Sequence, residues 1–160
     1  MGSFDRAGAS PARLSALAVF LVVVVGGGLL IGLLNTPGAW YSGLVKPSFN
    51  PPAFVFGPVW TALYVAIAVA GWRIWRVAPK SGAMWLWGVQ LLLNWLWSPA
   101  FFGLEMPALG LVVILPLLVA ILAFIVVARR IDRPAAWLFV PYAAWVGFAT
   151  VLNASIVALN

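Results

Sequence analysis

The chain has 160 residues, 65% of them hydrophobic and only 8% charged. An ordinary soluble domain carries about 25% charged residues, so this one cannot cover its own surface with polar groups and lipid must be its main solvent. It has no cysteine and no histidine, which excludes disulfides, thiol catalysis, Cys/His zinc sites and imidazole acid–base chemistry, and its net charge of +6 sits at the ends of apolar runs, where membrane topology accounts for it better than nucleic-acid binding.

A helix needs roughly 20 apolar residues, at about 1.5 Å each, to cross about 30 Å of hydrocarbon. The first run that meets this is Leu14–Leu34. Arg6 and Arg13 precede it in the manner of a signal peptide, but the run outlasts the usual signal core of about 7–15 residues, so it is expected to be an uncleaved helix. Next comes a long gap, "NTPGAWYSGLVKPSFNPP" from Asn35 to Pro52. Loops longer than about 12–15 residues are usually functional or disordered, and this one has prolines, an aromatic pair and a single charge, so it is expected to be a lid. Tyr41, Lys46 and Asn50 are its candidate ligand contacts, with Lys46 suited to an anionic edge.

The second span is expected at Phe54–Trp75, where Trp60 and Tyr64 share a helical face. The third is expected at Ala83–Gly103; in "QLLLNWLWSPAFFG", Gln90, Asn94 and either Trp97 or Ser98 share a face. The fourth is Ala108–Ala128. The fifth is Ala135–Val157, in which Trp145, Ala149 and Asn153 share a face. The whole is predicted to be one membrane domain, an all-α integral membrane protein built as a five-helix transmembrane bundle, because a spanning backbone must satisfy its own hydrogen bonds.

Of the nine Lys and Arg residues, all but Lys46 fall in the N-terminal segment, the second loop or the fourth loop. The positive-inside rule then places the N-terminus in the cytoplasm and the C-terminus outside, as in a bacterial inner membrane. The acids Asp5, Glu105 and Asp132 lie at span ends or in loops. An ion-coupled carrier normally needs an ionisable group near mid-membrane, and an intramembrane protease needs a Ser–His pair or two aspartates. Neither pattern is present.

What remains inside the spans is tryptophan, tyrosine and amide. Trp72, Trp75, Trp85, Trp87 and Trp137 lie at the basic ends and read as an interfacial belt. Trp60, Trp95, Trp97 and Trp145 do not fit that belt, Trp145 lying roughly 15 Å into its span, and an indole there needs packing or a partner for its N–H. Amides in hydrocarbon must be paired, so Gln90, Asn94 and Asn153 should point into the bundle. Trp60, Ser98 and Ala149 fall in the same half of the bilayer, under the long loop. An aromatic cavity there suits a flat apolar ligand. Gly28 and Gly32, and Ala143 and Gly147, are spaced for close helix contact within or between chains.

These residues resemble a known family, the translocator proteins, also called tryptophan-rich sensory proteins or peripheral-type benzodiazepine receptors. The resemblance rests on "WYSGLVKPSFNPP", "GPVWTALY", "QLLLNWLWSPAFFG" and "VPYAAWVGFATVLN", in that order and on the expected spans. It implies a five-helix bundle, often a homodimer. The implied ligands are porphyrins such as protoporphyrin IX and synthetic isoquinoline carboxamides and benzodiazepines, with cholesterol in some members. Carried over by position, the family's ligand pocket falls on Tyr41, Trp60, Asn94, Trp97, Trp145 and Ala149. A bulkier residue in place of Ala149 goes with altered ligand and sterol response, and Trp60 and Trp145 match the pair proposed to act in light-dependent porphyrin breakdown. Animal members follow "ATVLN" with a Tyr and then an Arg that complete a sterol-recognition pattern; here "ASIVALN" follows, so sterol recognition through that pattern is not expected.

The expected function is therefore a membrane receptor or sensor for porphyrins and related flat apolar ligands. Facilitated transport of porphyrin or lipid, and light- and oxygen-dependent porphyrin degradation with Trp60 and Trp145 as the catalytic pair, are the alternatives. No metal or resident cofactor is expected, porphyrin being the ligand, and the expected partners are that ligand, the bilayer and a second copy of the chain, with no nucleic acid.

Overall fold

A computed structural model describes residues 11–160, apart from the side chain of Pro11; Asp5 and Arg6 lie outside the described residues. Every regular element among them is helical. The first rod is α1 (Pro11–Leu21), a π-helical turn (Val22–Gly26) and α2 (Gly27–Leu34). A short α3 (Ala39–Gly43) lies within the long loop. Then follow α4 (Ala53–Val77), α5 (Gly82–Ser98) with a second π-helical turn (Pro99–Gly103), α6 (Pro107–Ala128) and α7 (Arg133–Leu159).

Four of these rods, Ala12–Leu34, Ala53–Val77, Pro107–Ala128 and Arg133–Leu159, are long and apolar enough to cross a membrane. The α-helical part of the remaining rod, α5, has 17 residues and gains its further length from the π-helical turn. In that turn the Leu104 N–H donates to the Pro99 carbonyl at 2.8 Å, five residues back where an α-helix spans four; Pro99, which has no N–H of its own, opens it.

The rods pack in a ring: α4 beside α7, α7 beside α6, α6 beside α5, and the first rod between α5 and α4. The centre holds Ile67 and Ile74 from α4, Ile114, Ile121 and Phe124 from α6, and Phe139, Tyr142 and Val146 from α7, all buried. The Phe124 and Phe139 rings lie 4.0 Å apart. Small residues set the helix spacing. Ala68, Ala70, Ala120, Ala128 and Ala135 are buried, letting backbones approach where lipid supplies no hydrophobic drive between helices. The outer faces are apolar as well: Leu33, Val112, Val119 and Val126 are exposed, the pattern of an integral membrane protein.

Tryptophan placement corrects one expectation. Trp75, Trp85 and Trp137 are exposed at the basic end, and half-buried Trp72 donates its indole N–H to the Arg13 carbonyl at 3.1 Å. Trp87 is instead core. It is only 8% exposed, its N–H donates to the Ile67 carbonyl at 2.9 Å, and its ring lies against Gly71, where a Cβ would collide with it. Gly28 likewise makes room for the Tyr64 ring, an intrachain contact, whereas open space surrounds Gly32 and Gly147.

Two polar anchors tie the basic end. Ser81 caps α5 by accepting from the Met84 N–H at 3.3 Å. Asp132 caps α7 through the Ala135 N–H at 2.8 Å and accepts two hydrogen bonds from Arg73 of α4, at 2.9 and 3.0 Å.

Candidate functional site

At the end away from the arginines, α4, α5 and α7 diverge around a small aromatic cavity. Trp60 enters it from α4, one turn after Phe56. Trp97 enters from α5, and Trp145 and Ala149 from α7. Tyr41 closes it from the loop. Five of the sequence-predicted residues (Tyr41, Trp60, Trp97, Trp145 and Ala149) thus come together on one cavity wall.

The others sit around it in definite roles. Tyr64 and Asn94 form a polar layer beyond the cavity lining: the Tyr64 hydroxyl donates to Asn94 Oδ1 at 3.2 Å, and Asn94 Nδ2 donates to the buried Tyr142 hydroxyl at 2.9 Å. One carboxamide thereby joins α4, α5 and α7. The Trp60 ring lies 5.4 Å from that of Tyr64, so this layer supports the cavity wall. Lys46 and Asn50 do not line the cavity; they hold Tyr41. Asn50 Oδ1 accepts from the Tyr41 hydroxyl at 3.4 Å, and Lys46 Nζ lies 4.6 Å from the Tyr41 ring centroid while donating to the Leu44 carbonyl at 3.1 Å. Ser98 is half-buried and is not among the lining residues. Of the two choices left open for that face, Trp97 is the one that reaches the cavity.

Sequence reasoning missed Phe56, Phe101, Phe102, Leu152 and Ile156 as lining residues, and Asn153, which it placed on the right face, belongs with them. Some were within reach of simple spacing: Phe56 precedes Trp60 by one turn, and Leu152, Asn153 and Ile156 continue the Trp145–Ala149 face. Phe101, one turn after Trp97, was within the same reach; Phe102, its immediate neighbour in the π-helical turn, was not.

The loop is packed against the bundle rather than loose. Trp40 and Tyr41 meet the Phe101 ring edge-on at 6.0 and 6.2 Å, and Tyr41 meets Phe102 at 5.3 Å. Trp97 stacks on Phe101 at 5.3 Å. The Asn160 side chain clasps the loop backbone: its Oδ1 accepts from the Val45 N–H and its Nδ2 donates to the Val45 carbonyl, both at 3.0 Å. Burial raises the Tyr41 phenol above its ordinary value, so it stays a neutral hydrogen-bond donor.

Polar capacity at the cavity is limited and specific. Trp97 donates its N–H to Asn153 Oδ1 at 3.2 Å, and Asn153 Nδ2 donates to the Pro107 carbonyl at 2.8 Å. The Trp145 N–H is buried with no acceptor among the described residues. The cavity volume is about 30 Å³, room for about one water molecule, whereas pockets for drug-sized ligands measure about 300–1,000 Å³. A drug-sized ligand does not fit this cavity without displacement of the aromatic rings or the loop.

A helical membrane bundle with an aromatic cavity beneath a proline-rich loop is an integral membrane protein with a candidate small-molecule site. A sequence model of the TspO/MBR family matches residues 18–159, and the chain belongs to that family. It is 40% identical over 129 residues to the "Tryptophan-rich protein TspO" of Chlorobaculum tepidum, covering 78% of this chain and 82% of that one. It is 34% identical to the "Tryptophan-rich sensory protein" of Cereibacter sphaeroides, covering 91% and 92%. It is 39% identical to the human "Translocator protein", covering 71% and 70%.

Proposed function

We propose that this protein is a membrane receptor for porphyrins and similar flat apolar ligands, held between Trp60, Trp97 and Trp145 beneath the Tyr41 lid. The observation that carries this reading is the convergence of those three indoles, with Ala149 as the one small residue among them, on a single cavity. Large π faces suit stacking on a planar macrocycle. The unpartnered Trp145 N–H offers a donor to an acceptor on its rim, and Lys46, above Tyr41, offers a cation to a carboxylate. In this reading the chain forms a homodimer in a bacterial inner membrane, with the arginine-rich end in the cytoplasm.

Protoporphyrin IX added to the protein in detergent micelles should quench tryptophan fluorescence saturably. Trp60→Ala, which removes one stacking face, should weaken binding about two- to tenfold, in line with about 0.5–1.5 kcal/mol for an aromatic pair beyond its buried area, and Ala149→Leu, which fills the cavity, should weaken it as well. Titration curves unchanged in both variants would sink the assignment of this cavity.

A further inference from the structure

A second site lies at the opposite end of the bundle. The turn between α6 and α7 carries Arg129, Arg130 and Arg133, and beside it a groove of about 800 Å³ runs down between the two helices, with Ile125, Trp137 and Val140 along its length. We propose that this groove binds the headgroup and upper acyl chain of an anionic phospholipid.

The placement of charge carries the first half of this inference. Three guanidinium groups stand within five consecutive positions, all exposed. The acid in that turn, Asp132, is committed elsewhere, to Arg73 and to the cap of α7. Among the described residues, no carboxylate bonds Arg129, Arg130 or Arg133; the one ion pair formed there is Arg73–Asp132. The turn is also rigid. The Arg129, Arg130, Ile131 and Asp132 N–H groups all donate back to α6 carbonyls, at 2.8–3.3 Å. Mutually repelling cations are thus held on a fixed frame, and planar guanidinium forks match phosphate oxygens two at a time.

The grading of polarity along the groove carries the second half. On α7, Arg133, Trp137 and Val140 are spaced one turn apart on a single face, and Val140 lies about 10 Å along the axis from Arg133. Trp137 is 70% exposed and Val140 40%. Ile125 lies one turn before Arg129 on the facing helix. The groove therefore changes from cationic to indole to aliphatic over the distance in which a phospholipid changes from phosphate to glycerol ester to acyl chain. A basic loop that served topology alone would need no such cleft. Arg76, at the same end, shows the contrast: its guanidinium lies over the Trp72 ring at 4.5 Å, outside the groove.

The test uses the full chain in neutral detergent, with lipid binding counted by native mass spectrometry. Dioleoyl phosphatidylglycerol should bind about tenfold tighter than dioleoyl phosphatidylcholine, given about fivefold per basic residue near an anionic headgroup before screening. Arg129→Gln/Arg130→Gln/Arg133→Gln should reduce the preference to within twofold, and Arg76→Gln should leave it intact. Phosphatidylglycerol brominated on its upper acyl carbons should quench fluorescence in the native chain, and Trp137→Phe should remove the added quenching. Equal binding of the two lipids overturns the proposal, as does a preference that survives the triple substitution. Displacement by equimolar glycerol phosphate would show that the groove takes a free phosphate and not a lipid. Thermal melts of both arginine variants, equal to the native chain within about 3 °C, separate loss of the site from loss of the fold.

Discussion

Asn94 joins three helices with one carboxamide, accepting from Tyr64 of α4 and donating to Tyr142 of α7. In hydrocarbon neither tyrosine hydroxyl has water to fall back on, so the cost of removing the amide is the cost of stranding its partners, about 1–3 kcal/mol for a buried group; hydrogen bonds between membrane helices average less, near 0.6 kcal/mol each. Asn94→Leu should therefore lower the melting temperature in detergent by about 3–6 °C, at about 2–4 °C per kcal/mol for a chain of this size. Because Asn94 lies beyond the cavity lining, porphyrin affinity should fall less than in Trp60→Ala. A variant as stable as the native chain would show that the tyrosines find other partners. At this scale the sequence was readable where spacing is α-helical: Trp60, Trp145 and Ala149 are where a 3.6-residue period aims them. It was unreadable at Phe102, the immediate neighbour of Phe101 in the π-helical turn, and where a contact overrides a tendency, as when Gly71 opens a buried slot for Trp87 at a nominally interfacial position.

Among the elements, the turn between α6 and α7 does more than connect. Asp132 caps α7, pairs with Arg73 of α4, and is 13% exposed in its side chain. Burial by itself would raise its carboxyl; the Arg73 and Ala135 hydrogen bonds and the nearby charges of Arg73 and Arg76 outweigh that and hold it below its ordinary value. A carboxyl whose folded value is depressed adds stability that is fully present above its unfolded value, about 3.9, and is lost as pH falls through the lower, folded one. The native chain should therefore lose melting temperature as pH falls below about 4. Asp132→Asn, which keeps a capping oxygen but not the charge, should start lower and flatten that part of the profile, while Asp132→Ala should lose about 1 kcal/mol more through the missing cap. Parallel acid profiles for the native chain and Asp132→Asn would remove this ion pair as the cause. The helices themselves were legible because apolar length and the alternation of basic loops both count spans. The Arg73–Asp132 pair was not, since nothing in the sequence says which arginine at that end meets Asp132.

Across the whole molecule, the ring of helices is closed at both the core and the cavity, and under the proposed function the route of a porphyrin-sized ligand follows from what holds the loop over the cavity. The loop is anchored by the Tyr41 side chain against Phe101 and Phe102, by the Val45 backbone in the Asn160 carboxamide, and by the Phe49 ring against Phe148. The second anchor joins residues 115 positions apart and left no trace in the sequence pattern. It also ties the lid to α7, the helix that supplies Trp145 and Ala149 to the cavity wall. If opening limits entry, loosening that clasp raises the open population without altering any group that lines the cavity. Each hydrogen bond is worth about 0.5–1.5 kcal/mol net, and those of Asn160 are exposed, so the lower end applies. Asn160→Ala should speed both association and dissociation of protoporphyrin IX by about three- to tenfold in stopped-flow quenching, and shift the equilibrium constant by less than about threefold, because free and bound states lose the same clasp. Faster dissociation alone would mean that Asn160 holds the ligand-bound lid only. Unchanged rates in both directions would place the entry path elsewhere, between the helices and not beneath the loop.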